Sequence, residues 1–236
     1  MKKLFFILTA AVLFGTSALA AKAKEDCADK KIRPTVALKT SYGQLHYDFD
    51  TSRDGIKRLA DRLGMVELDS VAGLAVVNVK QSYAISFLQE IMPDGSLCSI
   101  PAHVDIFIGY GNPKIYIADD LKMGSCEYNL VLRHEQTHQQ INISALNYFL
   151  PRLKTAAEKI AASLTPVSVK NIKNVKQANA RLSNEFGRKF TALIEVFEKE
   201  LHLEQGKLDN AHNYQMEGAV CNEYETKRKS LFKRKK

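Results

Sequence analysis

The spacing of apolar and polar residues divides the chain into a strand-rich first half and a helical second half. Leu45, Tyr47 and Phe49 alternate with polar neighbours, which is the pattern of a half-buried strand. A short helix is predicted over residues 54–63, before Gly64. Strands are predicted over residues 35–38, 44–49, 74–79, 104–108 and 114–118, with 35–38 and 44–49 around one turn and 104–108 and 114–118 as a hairpin.

The period of the apolar residues changes after residue 118. The chain is predicted to be helical from 127 to 164, with a break or kink at Pro151, and again from 174 to 204. Each of these helices needs an apolar surface to pack against. The pattern therefore predicts an α+β fold, in which a small, mostly antiparallel sheet is followed by a long helical hairpin.

The first twenty residues have the pattern of a bacterial signal peptide. Lys2 and Lys3 precede an apolar run over 4–15, and the small residues of 17–20 resemble a cleavage site. The alternative, an uncleaved membrane anchor, is disfavoured because the apolar run is too short to span a bilayer. The sequence thus predicts a signal peptide over 1–20, one domain over 21–226, and a periplasmic or secreted protein without a transmembrane segment after cleavage.

The cysteines agree with an oxidising compartment. Cys27, Cys98, Cys126 and Cys221 are even in number and lack the close pairs of zinc ribbons or thioredoxin-like motifs. Two disulfides are expected, with three possible pairings. The pairing of Cys27 with Cys98 and of Cys126 with Cys221 is preferred, because it ties each half of the chain together.

The net charge of +8 is concentrated at the two ends of the chain. Seven basic residues lie in a tail over 227–236, and two more lie in the predicted signal peptide, which leaves residues 21–226 with a formal charge of −1. A nearly neutral domain disfavours nucleic acid as a partner. The basic tail can instead contact an anionic envelope surface, although a solvated end is an equally good interpretation.

The first long helix contains the sequence H-E-x-x-H at residues 134–138. Histidines four positions apart lie on one face of a helix, so that His134 and His138 can bind one metal ion. Glu135 projects beside that face, where its carboxylate can accept a proton from water. The motif predicts a zinc site in which Glu135 is the catalytic base. Its alternative is a pair of hydrogen-bonded core histidines.

A catalytic zinc site needs a third protein ligand. The metzincin spacing is absent, because Ile141 and Ser144 occupy the positions that it requires. His212 ranks first as the third ligand, since it continues the helical spacing and precedes Cys221. The candidates are His202, Glu204, His212, Glu217 and Glu223.

Residues 114–150, and above all the segment C-E-Y-N-L-V-L-R-H-E-Q-T-H at 126–138, resemble a bacterial family of exported, predicted zinc-dependent proteases in the zincin group. That family has an H-E-Q-x-H helix and a later histidine. The resemblance implies a zinc-dependent protease with His134 and His138 as ligands, Glu135 as base and His212 as the downstream ligand.

The sequence therefore predicts an exported zinc metallopeptidase acting on a peptide or protein substrate. Two alternatives stay open: a non-catalytic zinc-containing binding module of the envelope, and a hydrolase of peptidoglycan amide bonds. Tyr214 and Tyr224 are candidate donors to the oxyanion of the reaction, with packing as their alternative role. Residues 114–118 could be an edge strand that pairs with an extended peptide, or an ordinary strand within a sheet.

Overall fold

The computed structural model of the protein describes residues 26–30, 32–65 and 71–233. The predicted signal peptide over 1–20 lies outside these residues. The described strands are β1 (Thr35–Ser41), β2 (His46–Asp48), β3 (Gly73–Val76), β4 (Val79–Ile91), β5 (Leu97–Tyr110), β6 (Lys114–Ile117) and β7 (Val167–Val169). The described α-helices are α1 (Arg53–Arg62), α2 (Cys126–Ala162), α3 (Val175–Gly206) and α4 (Ala211–Lys233).

The α+β class is confirmed, but the strands form two sheets where one was expected. The larger sheet has the order β1–β5–β4, and β7 also pairs with β5. The smaller sheet has the order β2–β6–β3. Pairings of β4 with β5, β3 with β6 and β5 with β7 are antiparallel, whereas β1 with β5 and β2 with β6 are parallel.

Both predicted strand pairs along the chain are wrong, because the chain passes from one sheet to the other between their members. β1 and β2 lie in different sheets, and so do β5 and β6. The two crossings run side by side: Gly43 has a φ of +68°, and a Cβ on it would lie 2.6 Å from Pro113 Cδ. Only glycine combines that left-handed backbone with so close an approach.

The two long helices begin and end near the predicted residues. Ser125 caps α2, since its side chain accepts a hydrogen bond from the backbone N–H of Tyr128. Of the two alternatives for Pro151, a break or a kink, the break is wrong, because α2 continues through this proline to Ala162. α4 was not predicted, and it includes residues 227–233 of the basic tail.

Helix α2 belongs to two hydrophobic cores, and this places the H-E-x-x-H segment. Its first turns pack on the smaller sheet, where Tyr128 joins Ile115 and Ile117. Its later turns pack with α3 on the larger sheet, where Leu146 joins Phe186 and other buried residues. Residues 134–138 lie between these two parts of the helix. Packing of α2 before and after these residues therefore fixes the position of the motif.

Both preferred disulfides are confirmed. Cys27 is bonded to Cys98, and Cys126 at the start of α2 is bonded to Cys221 in α4. Two disulfides are consistent with a periplasmic or extracellular location. Within the described ranges, no helix combines the length and the apolar character needed to cross a membrane.

Candidate metal centre

Three ligand atoms converge where α2 faces the link between α3 and α4. His134 and His138 are buried, with 6% and 8% of their surface exposed. Their Nε2 atoms lie 3.1 Å apart. Asp209 Oδ1 lies 3.1 Å from the Nε2 of His134 and 3.0 Å from that of His138. The three atoms form a nearly equilateral triangle that could hold a metal ion.

The triangle fits a zinc ion in size and in donor chemistry. Ligands at about 2.0–2.1 Å from a tetrahedral zinc lie about 3.3 Å from one another, close to the observed spacing. Two imidazole nitrogens and one carboxylate oxygen are a usual donor set of catalytic zinc, which leaves one position open. The Asp209 side chain is 38% exposed, so the site opens to solvent on its side.

Hydrogen bonds on the far side of each ring direct the Nε2 lone pairs towards the triangle. The amide nitrogen of Gln205 donates to the backbone oxygen of His138 and to Asn142 Oδ1, so that its Oε1 must face His138 Nδ1. His138 Nδ1 therefore carries the proton and donates to Gln205. His134 Nδ1 likewise donates to Glu217 Oε1 at 3.2 Å. Such outer contacts fix the tautomer of histidine ligands.

With both imidazole rings neutral, three lone pairs face one another, and the arrangement therefore attracts a cation, either a proton or a metal ion. Burial alone would lower the pKa of His134, but its hydrogen bonds with Asp209 and Glu217 outweigh burial and raise that pKa to about 9. Burial would raise the pKa of Asp209, yet hydrogen bonds with His134, His138 and Tyr214 hold it well below its usual range. The carboxylate is thus ionised and able to act as a ligand.

Helix α4 covers His134 with Tyr214. The two rings stack with centroids 5.2 Å apart. The Tyr214 hydroxyl donates to Asp209 Oδ1 at 2.7 Å and so helps to hold this oxygen at the triangle. The Cys126–Cys221 disulfide fastens α4 to the beginning of the helix that carries both histidines.

Glu135 lies outside the triangle and faces the smaller sheet. It is 6% exposed, and its carboxylate accepts a hydrogen bond from the backbone N–H of Ala75 in β3. Burial raises the pKa of Glu135 to about 7, against the opposing charges of His138 and His134. A carboxyl group with a pKa near neutrality can both accept and return a proton.

The residues proposed as the third ligand have different places in the structure. Glu217 contacts His134 Nδ1 rather than joining the triangle. His212 is exposed in the first turn of α4 and is not part of the convergent group. His202 is exposed on α3, while Glu204 pairs with Lys207 and Glu223 with Lys227.

Asp209 was not predicted, because only histidine and glutamate residues downstream of the motif were considered as the third ligand. It lies three residues before His212, in the short link between α3 and α4. Aspartate is an ordinary zinc ligand, and the place of Asp209 shortly before Cys221 was the available signal.

Of the two tyrosines, Tyr214 reaches the centre, whereas Tyr224 borders a groove with Leu130 and Arg133 further along α4.

The interpretation of residues 114–118 as an edge strand is wrong. β6 lies in the middle of the smaller sheet and pairs with β2 on one side and β3 on the other. The strand that lies next to Glu135 is β3, and Gly73 allows the contact. A Cβ on Gly73 would lie 2.6 Å from Val131 Cγ1 and 2.7 Å from Glu135 Oε1.

Replacing Gly73 by alanine should therefore displace Glu135 while the histidines stay in place. We expect the free energy of unfolding to fall by about 1–3 kcal/mol, the usual cost of overpacking. Chemical denaturation measures this loss. Gly218→Ala is the matched control, because no atom of the described residues, apart from the neighbouring backbone of α4, lies within 4 Å of a Cβ at that position. Equal stability of the two variants would contradict the close contact of β3 with α2.

Comparison of the chain with models of protein families, with curated proteins and with solved structures found no match in any of the three. The fold and the site alone therefore define the class. The chain is an α+β protein with two disulfides, and its long helix presents two histidines that, with Asp209, could hold a metal ion.

Proposed function

We propose that this protein is an exported zinc metallopeptidase whose ligands are His134, His138 and Asp209. The observation that carries the proposal is a buried carboxyl group, Glu135, beside a triangle of ligand atoms to which it does not belong. A purely structural zinc site is expected to have four protein ligands. A structural site also does not require a buried carboxyl group that lies beside the ligands and binds no metal.

Zinc is the best candidate among the metals that this donor set accepts. Two histidines and one carboxylate also bind iron(II) in oxygenases. In the present chain, however, the H-E-x-x-H spacing places a base next to the ligands, as hydrolysis requires. The resemblance of residues 114–150 to predicted zinc-dependent proteases supports the choice of zinc. The predicted signal peptide supports export of the enzyme.

The proposed reaction is the hydrolysis of a peptide bond. Bound zinc supplies a Lewis acid that makes water a better nucleophile and stabilises negative charge on the carbonyl oxygen. Glu135 accepts a proton from the attacking water and delivers it to the leaving nitrogen as the C–N bond breaks. The hydrogen bond from Ala75 keeps the Glu135 side chain in position for both transfers.

Removal of the metal tests the proposal. The purified chain without residues 1–20 should contain one equivalent of zinc by elemental analysis, and it should cleave members of a broad peptide library. Dialysis against a chelator should abolish cleavage, and one equivalent of zinc should restore it. The fold should survive this treatment, because both disulfides and both cores are independent of the metal.

Two outcomes would overturn the proposal. Stoichiometric zinc without cleavage of any peptide would indicate a binding module rather than an enzyme. Iron instead of zinc, with no hydrolysis after zinc is supplied, would indicate a different chemistry. Circular dichroism of the chelated protein serves as the control for folding.

A further inference from the structure

A large groove lies between β7 and the first half of α3, apart from the candidate metal centre. Its volume is about 1070 Å³, just above the usual range for ligand sites. Gln205, which contacts His138, lies 17 residues after Arg188 on the same helix. At 1.5 Å per helical residue, the groove is therefore at least about 25 Å from the histidines along the helix axis.

The walls of the groove are basic. Lys170, Arg181 and Arg188 line it, and within the described part of the chain none of the three forms an ion pair. Glu185, the single acid among the described residues that line the groove, is paired with Lys189 at 2.8 Å. Residues 165–190 contain six basic residues and one acidic residue, whereas residues 21–226 as a whole are nearly neutral. The positive charge is therefore local to this groove and its surroundings.

The α3 wall presents a regular polar stripe. Gln177, Arg181, Asn184 and Arg188 follow one another at spacings of four, three and four residues, so they lie on one face of the helix. This stripe combines guanidinium groups, which bind carboxylates with two hydrogen bonds, with side-chain amides that can donate and accept. The stripe is exposed rather than packed against another described element.

The opposite wall is the edge of a strand. The four consecutive residues Val167, Ser168, Val169 and Lys170 all line the groove. The first three form β7 and Lys170 follows it. Since successive side chains of a strand point to opposite faces, consecutive residues that border one groove indicate that the groove follows the strand's edge. Among the described strands β7 pairs only with β5. No backbone hydrogen bond outside this pairing joins residues 167–170 to another described segment. The other edge of β7 therefore has backbone N–H and C=O groups that can pair with a ligand.

We propose that this groove binds an extended acidic peptide segment, which pairs with the edge of β7 and places its carboxylates against Arg181, Arg188 and Lys170. Strand addition supplies backbone hydrogen bonds, and the basic stripe selects acidic side chains on the face of the peptide towards α3. The site is independent of the proposed peptidase function. It requires neither the metal nor Glu135.

Fluorescence anisotropy of a labelled octapeptide in which glutamate alternates with valine tests the proposal. The protein is the full chain without residues 1–20, in the presence of a chelator so that no hydrolysis can occur. We expect saturable binding that weakens as salt is raised. The Arg181→Gln/Arg188→Gln variant should bind at least tenfold more weakly. The Lys154→Gln/Lys199→Gln variant is the matched control, because both lysines are exposed and lie outside the groove.

Two further ligands separate strand addition from simple charge attraction. The same octapeptide with N-methyl groups on alternate residues keeps its charge but loses backbone donors, and it should bind at least tenfold more weakly. Polyphosphate should compete poorly. The proposal is overturned if the N-methylated peptide or polyphosphate binds as well as the parent peptide. Equal binding by the arginine variant and the control, or no binding by either, also overturns it.

Discussion

Replacing Glu135 by glutamine should lower kcat/KM about 100- to 10,000-fold, the usual contribution of a general acid–base group. Glutamine has nearly the same shape and can still accept the hydrogen bond from Ala75, but it cannot take a proton from water. The zinc content should stay at one equivalent, because Glu135 is not among the convergent ligand atoms. Peptide cleavage assays and elemental analysis measure these two quantities.

Glu127→Gln provides a matched control for this substitution. Glu127 lies on the same helix, two turns before Glu135, but its side chain is 61% exposed and pairs with Arg53. Its replacement should leave the rate unchanged. If Glu135→Gln kept more than a tenth of the parent activity, Glu135 would not be the base, whatever metal the site holds.

Replacing Asp209 by alanine should weaken zinc binding more than 100-fold, because it removes one of three ligand atoms. Competition with a chromophoric chelator measures the affinity. Glu217→Gln should have a smaller effect, about 10- to 100-fold, since Glu217 only orients His134 through Nδ1. His212→Ala should change the affinity less than twofold, because His212 is exposed and outside the convergent group.

This graded series tests which downstream residue is the ligand. A large loss for His212→Ala with little change for Asp209→Ala would restore His212 as the third ligand and contradict the geometry. A larger loss for Glu217→Gln than for Asp209→Ala would exchange the roles of the two acids. Circular dichroism and the integrity of both disulfides confirm that each variant is folded.

Local pattern predicted α1, α2, α3 and most strands, but not the way in which the strands pair. The long apolar repeats located α2 and α3 to within a few residues, because one face of each is buried over many turns. β4 was hidden because it is an edge strand whose residues are exposed or half-buried. The assignment of strands to two sheets depends on contacts between distant segments, such as Gly43 with Pro113, which no local pattern encodes.

For the site, the motif located the residues that a single helix turn brings together. His134, Glu135 and His138 are neighbours on α2, so their spacing was sufficient. Asp209 comes from a link 71 residues after His138, and its place depends on how α3 packs and on where Cys221 fastens α4. α4 escaped prediction because it lacks an apolar stripe: its described side chains are exposed or half-buried.

Because α4 is largely exposed, the Cys126–Cys221 bond has a second role besides stabilising the fold: it positions residues of the candidate metal centre. Little apolar surface fixes this helix, so the covalent link is an important anchor of the segment that carries Asp209, Tyr214 and Glu217. In a reducing compartment the chain would keep both histidines on α2 but lose the firm placement of their partners. Assembly of a complete donor set should thereby depend on oxidation, and under the proposed function the newly made chain should gain activity only after its thiols have paired.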